Sequence, residues 1–100
     1  MAKLITVLWR DIPAQVIARQ ARRSAKVQLT ERFQVAIDRA AMRAGKGSSD
    51  AYLEDWRRSP RACGDDIEAE ARAEAERLEA SYDDQRLERL VKAGGVDGEQ

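Results

Sequence analysis

One thiol, two pairs of adjacent aspartates, a run of bases and a tryptophan–arginine–aspartate corner are the side chains whose types and spacing suggest chemistry. Cys63 follows Arg57, Arg58 and Arg61 and precedes a helix start, features that lower a thiol pKa. Asp65 and Asp66 push the other way, and the chain has no histidine to act as base. That absence removes Ser-His-Asp and Cys-His catalysis, histidine-bearing zinc sites and the usual neutral-pH proton shuttle. Cys63 is therefore read as a structural thiol. Asp65-Asp66 and Asp83-Asp84 lack the glycine and spaced oxygens of a calcium loop and read as helix caps. No catalytic residue, metal site or cofactor is assigned, and the reading leans away from an enzyme.

Binding is the remaining class. Arg19, Arg22, Arg23 and Lys26 form a basic segment able to contact phosphates. It has no interleaved aromatics and no nucleic-acid motif, so nucleic acid is a secondary reading and a protein partner the first. Trp9-Arg10-Asp11 is either a solvated turn or a recognition corner, since tryptophan and arginine are over-represented at interface hot spots. Val35 and Met42, seven residues apart, lie off the apolar stripe of their helix and offer a shallow anchor. Trp9, Arg10, Asp11, Arg19, Arg22, Arg23, Val35 and Met42 are thus the candidate partner-binding residues.

Two apolar runs must position these groups. In the first strand Leu4, Thr6 and Leu8 face one way and Ile5, Val7 and Trp9 the other. Both faces are largely apolar, so this strand is expected to be covered twice or to lie centrally. Arg10-Asp11-Ile12-Pro13 turns the chain into a second strand, with Ala14, Val16 and Ala18 on one face and Gln15, Ile17 and Arg19 on the other. The more polar second face suggests a place nearer the sheet edge. Ala25, Val27 and Leu29 alternate, extending the chain before the first helix. There Thr30 is the expected N-cap, and Phe33, Ala36, Ile37, Ala40, Ala41 and Ala44 form a stripe that Gly45 ends. Lys46–Ser49 reads as a loop, with Ser49 capping a short helix carrying Tyr52, Leu53 and Trp56. Arg57–Arg61 breaks that helix, and Arg61-Ala62-Cys63 can add a short third strand.

Asp65 with Glu68 approximates a capping box for a long second helix. Unbroken to Ala93 it would run about 43 Å, against about 34 Å for a compact domain of this length. Ile67, Ala71, Ala75, Leu78 and Tyr82 keep one phase, whereas Leu87, Leu90 and Val91 point oppositely. A break is expected at Ser81–Asp84, and Gly94-Gly95 ends the helix. The expectation is one α+β domain over residues 1–95: an antiparallel hairpin or three-stranded sheet, two long helices and one short helix. Residues 96–100 form a flexible tail.

The chain is 100 residues long with 18 bases and 18 acids, but the balance is uneven. Residues 1–46 hold ten bases and three acids, a net +7, and residues 47–100 hold eight and fifteen, a net −7. The halves either attract each other or face different partners. No apolar stretch approaches the ~20 residues of a membrane-spanning helix, and Arg10-Asp11 cuts Leu4–Trp9 short of a signal peptide. With a single cysteine, the expected setting is the cytoplasm.

WRDIPAQV, RFQVAIDRAAMRAG and YLEDWRR carry a resemblance across about Ala2–Gly95. The chain resembles the small bacterial family labelled the virulence-factor domain, also found in conserved virulence factor C proteins beside helical repeats. The resemblance implies a strand-like segment where this chain has the irregular RRSPRACGDD. It implies no reaction and carries over no catalytic residue. Gene neighbourhoods associated with free-standing members imply an accessory role beside folate- and corrinoid-dependent methyl transfer. The leading expectation is a non-catalytic accessory or protein-interaction module. One alternative is an accessory subunit in one-carbon transfer. The other is a weak nucleic-acid or phosphate binder acting through Arg19–Lys26.

Overall fold

A computed structural model describes residues 2–45 and 49–96. Strands β1 (Ala2–Trp9), β2 (Ile12–Gln20), β3 (Arg23–Gln28) and β4 (Trp56–Cys63) form one antiparallel sheet in the order β3-β2-β1-β4. Helices α1 (Glu31–Arg43), α2 (Ser49–Glu54), α3 (Ile67–Ser81) and α4 (Asp84–Lys92) complete the fold. The α+β class holds, with four strands instead of two or three.

Alternation decides the layering. Leu4, Val16 and Ala18 point into the main core with Phe33, Ile37, Ile67, Ala71, Leu78, Leu87 and Leu90 from the helices. α3 lies across β3 and β2 and only brushes β1, while α1 packs on β2 and α4. Ile5, Val7 and Ile17 form a separate small cluster on the reverse face, joined among the described residues by Trp56. β1 is central, which accounts for its two apolar faces.

β2 is not near an edge, because β3 pairs with it from Gln15–Gln28 to Gln20–Arg23. The turn between them is Ala21-Arg22, with Ala21 in the left-handed region at φ +55°. Trp56 is not helical: α2 stops at Glu54, and Trp56–Cys63 runs the whole length of β1. The strand-like segment implied by the family resemblance is therefore present. Pro60 sits opposite Ile5 in this edge strand, where its missing N–H costs no ladder bond on the open side.

The long C-terminal helix breaks where expected, between Ser81 and Asp84. The domain's longest dimension is 39 Å, shorter than an unbroken helix would need. Asp83 caps α4 by accepting from the Arg86 N–H at 2.8 Å. Asp66, not Asp65, caps α3, accepting from the Ala69 N–H. Thr30 occupies the N-cap position of α1, but its hydroxyl donates to Glu79 Oε1 at 3.0 Å instead of capping the helix. Gly45, Gly94 and Gly95 all have positive φ where helices end. The loop at 46–48, the side chain of Ser49 and the tail at 97–100 lie outside the described residues.

Candidate functional site

The Trp9-Arg10-Asp11 corner is a joint between distant parts of the chain. Trp9 is 0 % exposed. Its indole N–H donates to the Tyr52 carbonyl at 2.8 Å, and its ring stacks on Tyr52 at 5.9 Å. Arg10 donates from Nε to Asp55 at 3.1 Å and from Nη1 to the Gly94 carbonyl at 2.8 Å. The Asp11 N–H reaches the Gly95 carbonyl at 2.8 Å, and Arg57 holds the Asp11 carboxylate at 2.8 Å. The β1–β2 turn, the α2–β4 junction and the end of α4 thus meet around one indole. Trp9 presents no surface to a partner in this fold.

The basic segment is divided by strand register. Arg19 pairs with Lys3 and Ser24, and Lys26 pairs with Ile17, all on the reverse face of the sheet. Arg23 falls on the helix-side face, and Arg22 stands exposed in the turn. Val35 and Met42 are 44 % and 72 % exposed on α1, in the helix layer. Val35 borders a groove between α1 and α4, so the eight candidate residues do not form one patch.

Several helix-side ions are internally paired. Glu79 accepts from the Thr30 N–H at 2.7 Å, from its hydroxyl and from Arg32. Burial pushes the Glu79 carboxyl up, but those donors outweigh it and hold it below the usual range. Glu74, 6 % exposed, is held low chiefly by hydrogen bonds from Arg77, with Arg61 adding to them. Arg39 grips Glu88 from two nitrogens and holds it low as well. Cys63 is pushed up by burial and then by the Glu70 carboxylate, which disfavours a thiolate. Among the described residues no cluster of histidine, cysteine, aspartate or glutamate could hold a metal ion.

The reverse face of the sheet differs in kind. Three rows cross it: Ser24–Arg19–Lys3–Ala62, Lys26–Ile17–Ile5–Pro60 and Gln28–Gln15–Val7–Arg58. All four strands together carry seven bases and no acid. Their helix-side partners lie in a layer where α3 alone holds five glutamates. With two arginines on the same helix, α3 is net −3, so it balances part of the charge of the strands. At one end of the reverse face, Val7, Gln15, Trp56, Arg57 and Arg58 line a shallow cavity of about 340 Å³. Trp56 is half-buried there, edge-on to Tyr52 at 5.8 Å.

Sequence reasoning found Arg19 and Lys26 but missed Lys3, Trp56 and Arg58 as members of one surface. The missing signal was the β4 register, which a strand exposed along most of its length does not advertise through alternation.

A family model described as virulence factor matches residues 7–91. The chain belongs to the virulence factor family. The matched span takes in part of β1 and every other strand and helix of this virulence factor domain, except the last residue of α4. No curated protein and no solved structure matches the chain.

Proposed function

We propose that this virulence factor domain is a non-catalytic interaction module that receives an acidic protein surface on the open face of its sheet. The observation that carries the reading is that the strands place four bases and no acid on this face. Lys3, Arg19, Lys26 and Arg58 ring the aliphatic centre of the open face. A partner with carboxylates around one apolar side chain complements that pattern. The carboxylates would meet the bases, and the apolar group would enter the cavity beside Trp56.

An acidic protein fits better than nucleic acid. The chain is neutral overall, so the acidic helix layer offsets the long-range attraction of a polyanion. One half-buried tryptophan is a poor stacking platform for successive bases. A methyl-transfer enzyme is one candidate partner, on the implication of the family's gene neighbourhoods. A cytoplasmic setting is consistent with the single free thiol.

The test is capture from a lysate of the native bacterium by wild-type protein, by Arg19→Glu with Arg58→Glu, and by Arg39→Glu on the helix side. A partner rich in surface acids, released by salt and lost only with the sheet-face variant, is the expected result. Equal capture by all three proteins contradicts the reading. Capture abolished by nuclease transfers the face to nucleic acid.

A further inference from the structure

The helix layer stops short of β4. α3 covers β3 and β2, and among the described residues no helix packs closely over the helix-side face of β4. Register places Arg57, Ser59 and Arg61 on that bare side, opposite Leu8, Thr6 and Leu4 of β1. The overhang of α3 closes the space into a cleft of about 280 Å³. Arg57 and Arg61 come from its strand wall, Arg77 and Glu74 from its helix wall, and Tyr82 from the end of α3.

Three guanidiniums lining one small cleft repel each other unless anions sit among them. Two internal anions do part of this. Glu74 binds Arg61 at 3.2 Å and Arg77 through two donors, fixing both planes. Asp11 binds Arg57 at 2.8 Å. Three positive charges against two negative leave the cleft cationic, and each guanidinium has more N–H groups than these bonds use. Arg77 keeps Nη1, and Arg57 keeps Nη1 beyond its bonds to Asp11 and the Arg10 carbonyl. Thr6 and Ser59 face each other across the β1–β4 ladder and add two hydroxyls to the floor. The Tyr82 hydroxyl has only a long 3.4 Å contact, to the Asp11 carbonyl, and is free to rotate towards a better acceptor.

We propose that this cleft binds a small organic dianion, one anionic group at Arg57 and the other at the Arg61–Arg77 pair. The spacing sets the class. Arg57 and Arg61 are four strand residues apart, about 13 Å between Cα atoms, so one inorganic anion engages one end and a dicarboxylate or phosphorylated acid engages both. Leu8 and Leu78 line the cleft and suit the short carbon chain between the groups. This site opens on the opposite side of the sheet from the proposed docking face; Arg57 borders both cavities, whereas Arg61, Arg77 and Glu74 line this one alone, so Arg77 variants test it separately.

Titration of the wild-type domain with glutarate, followed through the arginine Nε–H resonances, tests it. Acetate and inorganic phosphate serve as single-headed comparisons at constant ionic strength. Saturable shifts at Arg57 and Arg77 with glutarate, at least about tenfold tighter than with acetate, are expected. Arg57→Gln and Arg77→Gln, both at exposed positions, should each weaken glutarate to about the acetate level. Glu74→Gln removes the competing internal carboxylate and should tighten binding. Shifts that never saturate, or that match acetate, overturn the proposal. Saturable shifts that persist unchanged in both arginine variants also overturn it.

Discussion

Trp9 and Gly95 are so close that a Cβ on the glycine would meet the indole Cζ3 at 2.7 Å. Gly95 also has φ +91°, and its carbonyl accepts the Asp11 N–H. The end of α4 is thereby clamped over the hairpin corner, and only glycine satisfies both the contact and the backbone. Gly95→Ala should cost about 2–4 kcal/mol, from left-handed strain and overpacking together. Urea denaturation measures it; a loss below about 0.5 kcal/mol, the scatter of ordinary surface changes, would show that α4 does not depend on the clamp.

Ala21 makes the complementary prediction. It is exposed, non-glycine and left-handed at φ +55° in the β2–β3 turn. Ala21→Gly should stabilise the fold by roughly 0.5–1 kcal/mol, the strain relieved less the extra freedom of the unfolded chain. The same denaturation experiment reads this gain, and a loss would contradict the turn geometry.

Acid should weaken the domain through Glu74 and Glu79. Both carboxyls are held below their ordinary values in the folded state. Their stabilisation is complete above the unfolded-state value of about 4.3 and disappears as pH falls through the lower folded values. Thermal midpoints should be nearly flat from neutrality to about pH 5 and fall below that. Glu74→Gln should cost about 1–2 kcal/mol at neutral pH and make the acid fall shallower. An unchanged acid limb would show that the Arg61–Glu74–Arg77 contact is not coupled to folding.

The sheet-face bases should be dispensable for folding. Arg19, Lys3 and Lys26 crowd like charges onto adjacent positions, so Arg19→Glu should change stability by no more than about 0.5 kcal/mol. A larger loss would mean that this face has a structural role.

Legibility in the sequence followed how strongly each segment's burial imprinted its pattern. α1 could be read because Phe33, Ile37 and Ala40 all enter one core, and the α3–α4 break because Leu78 and Leu87 approach that core from opposing phases. β3 was only half legible: Ala25 and Val27 alternate, but the Ala21-Arg22 turn contains none of the residues that normally announce a hairpin. β4 was hidden because Arg57, Arg58, Ser59, Pro60, Arg61 and Ala62 are all exposed, and Pro60 argues locally for a break. The Trp9 corner was legible as a special place, but not its direction. A tryptophan beside a charged turn has the same sequence signature whether it faces outward or, as here, under Tyr52. The open face could not be seen before β4 was placed, since Arg58 joins Lys3 and Arg19 only through that pairing.

Lysine footprinting of the captured complex shows which face of the domain the partner covers. Lys3 and Lys26 lie on the open sheet face, whereas Lys92 closes α4 in the helix layer. Brief acetylation of the isolated domain and of the partner-bound domain, read by mass spectrometry, compares the three within one molecule. With an acidic partner on the sheet, Lys3 and Lys26 should lose most of their reactivity on binding while Lys92 keeps its own. Protection of Lys92 with Lys3 and Lys26 fully reactive would place the partner on the helices and contradict it.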